Sequence, residues 1–322
     1  MRMKTIFVIL GLMFLLGCQE TIDMRQNYTI PEKDLIPEGI AWSEVKGKFY
    51  LSSIHKEKII ELDAQTGIHR DFISSGAYNF PSGVGLLADD ESGYLYAIAS
   101  STASQDMRSG LFIFRMSDGN LVGTYMTDTL QKHFLNDLAL DKRQNVYITD
   151  TRQSKIMLLK AGSDSLEVFL EGAEVLYPNG ICVSPNSRHL YIASHVHGIR
   201  IFDLETKAFV NARDTSGLSR GIDGLKYYEN SLLAIQNGFS DSIKLLQLFL
   251  DEEGGRVTSR KVLAVNHSKF HIPTTGVVVR DKYYCIANSQ LPLLNQEENR
   301  IKDKTKLQEV YILAFDPERG SE

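Results

Sequence analysis

Along most of this chain apolar and polar residues alternate in short runs rich in β-branched and aromatic side chains, such as KGKFYLSS, EKIIELD, NVYITD, RHLYIAS and GIRIFDL. A period of two is the strand signal, and no helical period survives beside it. Asn, Asp, Gly and Pro separate the runs, as in AQTG and PNS, where tight turns need them. The runs come in groups of four. EGIAWS, KGKFYLSS, EKIIELD and a strand around HRDFI form the first group, and NGICVS, RHLYIAS, GIRIFDL and AFV repeat the scheme later. Each group opens on a polar residue just before Gly or Asp: PEGIAW, PSGVGL, LNDLAL, PNGICV, IDGLKY and TTGVVV, spaced by 44, 54, 43, 44 and 52 residues. Repeats of this length, built from short strands, predict an all-β chain folded as a six-bladed β-propeller. EVYILAFD supplies the last strand, and NYTIP is placed to close the ring by pairing with the last blade, which removes an open edge.

The six openings carry the candidate chemistry. The innermost strand of a blade runs down the central channel from its mouth, so one residue per blade converges on the axis. These are Glu38, Ser82, Asn136, Asn179, Asp223 and Thr275, all bearing an oxygen. Calcium takes six to eight oxygen ligands from carboxylates, amide carbonyls and water. Glu38 and Asp223 supply two negative charges, Asn136 and Asn179 supply amide oxygens, and Ser82 and Thr275 are hydroxyls that hold waters or cap strand ends. Cysteine and paired histidine are absent from these positions, which disfavours a zinc site. The competing reading is turn chemistry, because Asn, Asp, Ser and Thr before Gly also bond to nearby backbone. Glu38 resists that reading, since Glu is a poor turn former. Links between second and third strands fall on the same face as the openings, at 52–56, 99–109, 149–154, 193–197, 235–242 and 287–307. The long ones, in the second and sixth blades, are where a rigid scaffold builds binding sites.

The ends and the composition add a location. MRMKTIFVILGLMFLLGCQE has a basic head at Arg2 and Lys4, an apolar run from Ile6 to Leu16, and then LLGC. That run is short for a mature membrane span and is flanked like a secretory signal. The expectation is a lipoprotein signal peptide over 1–17, a lipidated Cys18 with a tether over 18–36, and the propeller over 37–322. LLGC resembles a bacterial lipobox, and Gln19 in place of Asp favours the outer over the inner membrane of the cell envelope. Loss of 1–17 lowers the formal charge from −5 to −7. With no basic block, the chain offers nothing to nucleic acid, and contact with the membrane is expected through the anchor only. Cys182 and Cys285 fall in apolar strands of the fourth and sixth repeats, too far apart in a ring to pair, and read as buried free thiols.

PEGIAW followed by GKFYLSS, then LNDLALD, PNGICVSP and GIDGL, resembles the senescence marker protein/gluconolactonase family, over about residues 37–317. Paraoxonases and strictosidine-synthase-like proteins are more distant relatives. The resemblance implies calcium ligands at Glu38, Asn179 and Asp223, with Asp223 also the general base, and Asn136 approaching metal or substrate. Magnesium, manganese or zinc would also be accepted. Two departures stand out. Phe134 occupies a position where aldonolactonases of the family carry a sugar-gripping Arg, which favours a more apolar substrate. Ser82 stands where paraoxonases carry their proposed catalytic His, so a His-driven mechanism does not transfer.

The expected substrate-contacting residues are Ser82, Phe134, His195 and Thr275. Of the other histidines, His55 and His197 fall in mouth links, and His133 and His271 just precede inner strands. A histidine of near-neutral pKa is a natural base, although each taken alone also reads as a surface or turn residue. Asp150 and Arg152 read as rim residues or an inter-blade salt bridge, and Trp42 as core. G-x-S-x-G, H-E-x-x-H and phosphate-binding glycine loops are missing from the sequence. The expected function is a calcium-dependent hydrolase of a small-molecule lactone or ester. The alternative is a non-catalytic, metal-stabilised binding propeller of the envelope.

Overall fold

The computed structural model describes residues 24–239 and 241–319. The expected leader and Cys18 lie outside the described residues. Six four-stranded antiparallel sheets follow one another along the chain. Blade one is Pro37–Ser43, Lys48–Ser53, Lys58–Asp63 and His69–Ile73. Blade two is Gly83–Asp89, Tyr94–Ser100, Ser109–Arg115 and Leu121–Met126. Blade three is Leu135–Leu140, Val146–Asp150, Lys155–Leu159 and Glu167–Glu171. Blade four is Pro178–Val183, His189–Ser194, Gly198–Asp203 and the short Ala208–Phe209. Blade five is Ile222–Tyr228, Ser231–Gln236, Lys244–Leu250 and Val257–Val265. Blade six takes Gly276–Val279, Lys282–Ile286 and Val310–Phe315 from the end of the chain and Asn27–Ile30 from its start. Each inner strand touches the inner strands of both neighbours, including six against one, so the ring is closed. Helical structure among the described residues is confined to 3-10 turns.

Ring closure is by the segment the alternation suggested. Asn27–Ile30 pairs antiparallel with Val310–Leu313, Tyr28 and Ile30 turn inward, and Tyr28 OH donates to Ala64 O at 2.8 Å. The propeller therefore takes in residues that the sequence reading gave to the tether. The core is divided in the same way as the blades. Six apolar clusters fill the six gaps between neighbouring blades. In the gap between blades six and one, Phe49 stacks among Trp42, Tyr28 and Tyr284 at centroid distances of 4.7, 5.4 and 5.2 Å. Cys182 lies in the gap between blades four and five and Cys285 in that between five and six, both free and buried. Burial pushes each thiol up to about 12, which makes them inert at neutral pH.

One irregularity recurs and aims the candidate site. Pairing between first and second strands shifts register between Pro37 and Ile40, Gly83 and Leu86, Leu135 and Leu138, Pro178 and Ile181, and Ile222 and Leu225. These are β-bulges, which bend a strand and re-aim its side chains. Nearby hydroxyls satisfy the backbone groups that the bulges leave unpaired. Gly39 N donates to Ser52 Oγ at 2.8 Å, Asp137 N to Thr149 Oγ1 at 3.0 Å, and Ser100 Oγ to Leu135 O at 2.8 Å. The glycines at the bulges serve close approach and have no positive φ. A Cβ on Gly39 would lie 2.0 Å from Val84 O, one on Gly85 2.4 Å from Asn136 O, and one on Gly180 2.3 Å from Asp223 O. Each such glycine abuts the ring residue of the next blade. The Asn-Gly and Asp-Gly pairs are thus bulge positions in strands, and turn chemistry does not account for them.

Candidate functional site

The bulges bring Glu38, Asn136, Asn179 and Asp223 to the wall of one small cavity of ≈ 10 Å³ at the channel mouth, which Thr275 of blade six, Val84, Gly85, Asp137 and Gly224 complete. Its centre has room for about one water-sized particle. Four of the residues read as ring positions occupy the second place of their strands, as does Val84 in blade two. Register therefore puts Val84, and not Ser82, at the axis there. PSGVGL holds two glycines two residues apart; Ser82 precedes the first, while the glycine equivalent to Gly39 is the second, Gly85. Ser82 is buried outside the cavity, where its carbonyl accepts from Ser100 N.

Of the other expected substrate contacts, Phe134 packs into the core between blades two and three, and His195 stacks on Phe239 at 4.6 Å, away from the ring. Burial lowers the His195 pKa from its usual value. Asp150 is fully buried and accepts from His133 Nδ1, from Phe134 N at 3.1 Å and from Gln153 N at 3.2 Å, so this pair shapes a loop. His55 is tied to Asn299 in both directions at 3.1 Å. Asn299 belongs to a small hairpin in the long link of blade six, Leu294–Asn295 with Arg300–Ile301, which packs on Ile36 and Ile54. Thr102 of the long link of blade two donates to Gln296 O at 2.9 Å. The two long links thus meet as a wall along one side of the mouth.

Electrostatics single out two ring carboxylates. Burial and the negative charges of Asp223 and Asp137 hold the Glu38 carboxyl well above the usual range. Asp223 is raised to about 7, chiefly by burial and further by Asp137, against hydrogen bonds from Asn237 and Asn179. Asn237 Nδ2 donates to Asp223 Oδ2 at 2.6 Å and to Pro273 O at 2.9 Å. Asn136 Nδ2 donates to Thr151 Oγ1 at 3.1 Å, which leaves its carbonyl as the end a cation can use. Glu38 Oε2 and Thr275 Oγ1 are buried with no hydrogen-bond partner. Buried polar atoms without partners cost roughly 1–3 kcal/mol each and call for an explanation. A hard dication is one that fits: the donors are all oxygen, two are carboxylates, and the cavity has the size of one ion. Among the described residues no group of three or more His, Cys, Asp and Glu could hold a metal alone, so the amides would have to contribute.

Two residues here went unread in the sequence. Asp137 was visible only as the one bulge residue that is not glycine. Asn237 directly follows the second strand of blade five and carries no motif.

The fold and its mouth thus define a six-bladed propeller with oxygen donors from five blades, and Val84 from blade two, around its axis. The chain belongs to the SMP-30/gluconolactonase/LRE-like family, whose model matches residues 36–228, from the first ring residue through the inner strand of blade five. No curated protein matches the sequence. The fold is shared with the major allergen Mala s 1 of Malassezia sympodialis, at 16% identity and TM-score 0.69 over 91% of this chain and 96% of that one. It is also shared with the calcium-binding protein regucalcin of Agrobacterium tumefaciens, at 15% identity and TM-score 0.57 over 90% and 94%. A luciferin-regenerating enzyme matches at 10% identity and TM-score 0.57 over 89% and 94%.

Proposed function

We propose that this protein is a divalent-cation-dependent hydrolase of a lactone or related ester, with calcium the favoured ion. Glu38, Asn136, Asn179 and Asp223 would hold the cation. The observation that carries this reading is the partnerless, buried Glu38 Oε2 beside Asp223 in a one-ion cavity, in a chain of the gluconolactonase-like family. A bound dication supplies Lewis acidity toward a carbonyl oxygen. The chain's own part is to place a base. Asp223, held through Oδ2 by Asn237, is ionised at neutral pH once a positive charge offsets its neighbours, and takes a proton from the attacking water. Val84, the apolar member of the cavity wall in blade two, suits a substrate with little polar decoration. Magnesium, manganese or zinc would be tolerated by the same donors.

Lipidation at Cys18 and placement on the cell envelope belong to this proposal. Arg25 Nε donates to Gln65 O at 3.1 Å, in the link between third and fourth strands of blade one. The chain enters the ring there, on the face opposite the mouth, so an anchor at Cys18 leaves the mouth turned away from the bilayer.

The test is hydrolysis of a panel of lactones and aryl esters by the chain from Gln19 onward, stripped of metal and with calcium restored. Calcium-dependent turnover is expected. Tight calcium binding without turnover on any substrate would replace the hydrolase with a binding propeller.

A further inference from the structure

The third carboxylate of the ring cavity has a partner that the other two lack. Asp137 Oδ1 accepts from Leu138 N at 2.9 Å, while Oδ2 faces Ile181 N of blade four and the Lys226 ammonium of blade five, both at 3.4 Å. Both oxygens are engaged within the protein, and Asp137 is only 6% exposed. Glu38 Oε2, in contrast, has no partner. Lys226 lies three residues beyond Asp223 on the same inner strand and reaches across the channel toward blade three.

We propose that Lys226 is a fixed counter-charge that sets the demand of the ring cavity at one divalent ion. This rests on the reading of Glu38 and Asp223 as cation ligands. Glu38, Asp137 and Asp223 share the wall of one small cavity and, once a bound cation holds them ionised, present three negative charges to it. One ammonium paired with Asp137 leaves two, which a single dication neutralises. Asp137 is then an electrostatic member of the site whose oxygens are already spent, and the open coordination falls to Glu38, Asp223 and the amides. Without the ammonium the cavity presents a third unpaired charge. A trivalent ion gains more from that charge than a divalent one of similar size, and in a poorly screened channel the gain is large. Lysine suits the role, as a compact point charge on an apolar stem.

The experiment measures terbium and calcium binding to the full-length protein by calorimetry and by terbium luminescence with calcium competition. It compares wild type, Lys226→Met, Asp137→Asn and the double variant. Wild type should bind one calcium. Lys226→Met should raise the terbium-to-calcium affinity ratio by about tenfold or more, and Asp137→Asn should lower it. The double variant, which restores the wild-type charge count, should return the ratio to within about threefold of wild type. An unchanged ratio across the single variants, with calcium still bound, overturns the role of Lys226 and leaves the cation site standing. No binding of either ion to folded wild type overturns both. Should Lys226→Met fail to fold, Asp137→Asn and the double variant still decide the sign.

Discussion

The ring at the channel mouth and the six layers between the blades are built from the same strands by opposite rules. Between blades the side chains are largely apolar; Phe49, Leu51, Ile60 and Ile312 are fully buried in one such layer. Two buried hydroxyls between blades, those of Tyr50 and Tyr283, have no partner. At the ring, five bulges force backbones together, three carboxylates share one cavity, and two buried oxygens have no partner. The layers are where burial stabilises the fold, and each buried Phe or Leu contributes roughly 1.5–3 kcal/mol. The ring is where stability is given up, which is common at functional sites. Substitutions should therefore divide into two kinds, with opposite effects on the cation-free fold.

The largest expected effect is at Asp223. Asp223→Asn keeps the shape and one oxygen but removes a charge and the base. Turnover should fall by roughly 10²–10⁴-fold, and the stabilisation that calcium gives wild type should shrink. Melting of the cation-free protein should move up, because a buried charge next to Glu38 and Asp137 has gone. A cation-free variant that melts below wild type would break the comparison. The layers provide the opposite case. Phe49→Ala opens a cavity among Trp42, Tyr28 and Tyr284 and should cost about 3–5 kcal/mol in urea unfolding, with calcium affinity of the folded fraction unchanged.

A pH series sharpens the contrast. Asp223 binds its proton more tightly in the folded chain, at about 7 against an ordinary 3.8. Below about pH 4 the group is protonated in both states and costs nothing. As pH rises toward 7 the unfolded chain loses the proton first, and cation-free stability falls by up to about 1.4 kcal/mol per unit from this group. Glu38 acts in the same direction. Asp106 and Asp203, each lowered to about 2, act oppositely: their stability is present above about 4 and lost toward 2. The difference between wild type and Asp223→Asn isolates the ring. It should widen from pH 4 to 7 without cation, and saturating calcium, which stabilises wild type more than the variant, should narrow or reverse it.

The two regions were also unequally legible in the sequence. The layers follow from a period of two, which every strand repeats, so blade number, strand order and ring closure could all be read. The ring depends on register, and a one-blade ambiguity is enough to misplace it. In PSGVGL the first glycine looks like the bulge, and only the pairing of Gly83 with Ala99 and Leu86 with Ala97 shows that Val84 faces the axis. Asp137 and Lys226 meet from blades three and five across the channel, a contact that no local pattern encodes. The mouth histidines were misleading for a related reason. His133 and His55 carry the right chemistry, but burial against Asp150 and bonding to Asn299 commit them to the loops.

The smallest effect expected is at Asn237, which sits beside the ring and belongs to neither region. Its amide holds Asp223 Oδ2 and ties it to Pro273 O at the entry to blade six. Loss of this bond removes an influence that lowers the Asp223 pKa. Cation binding requires Asp223 ionised, so the acid limb of calcium affinity should move to higher pH in Asn237→Ala. Stability should change by only about 1 kcal/mol, the ordinary worth of a hydrogen bond. Calcium titrations between pH 5 and 8 read the shift directly. If affinity dropped equally at every pH, Asn237 would be holding geometry alone. A shift confined to the acid limb, with full affinity recovered at pH 8, would mean that it tunes the charge of the ring.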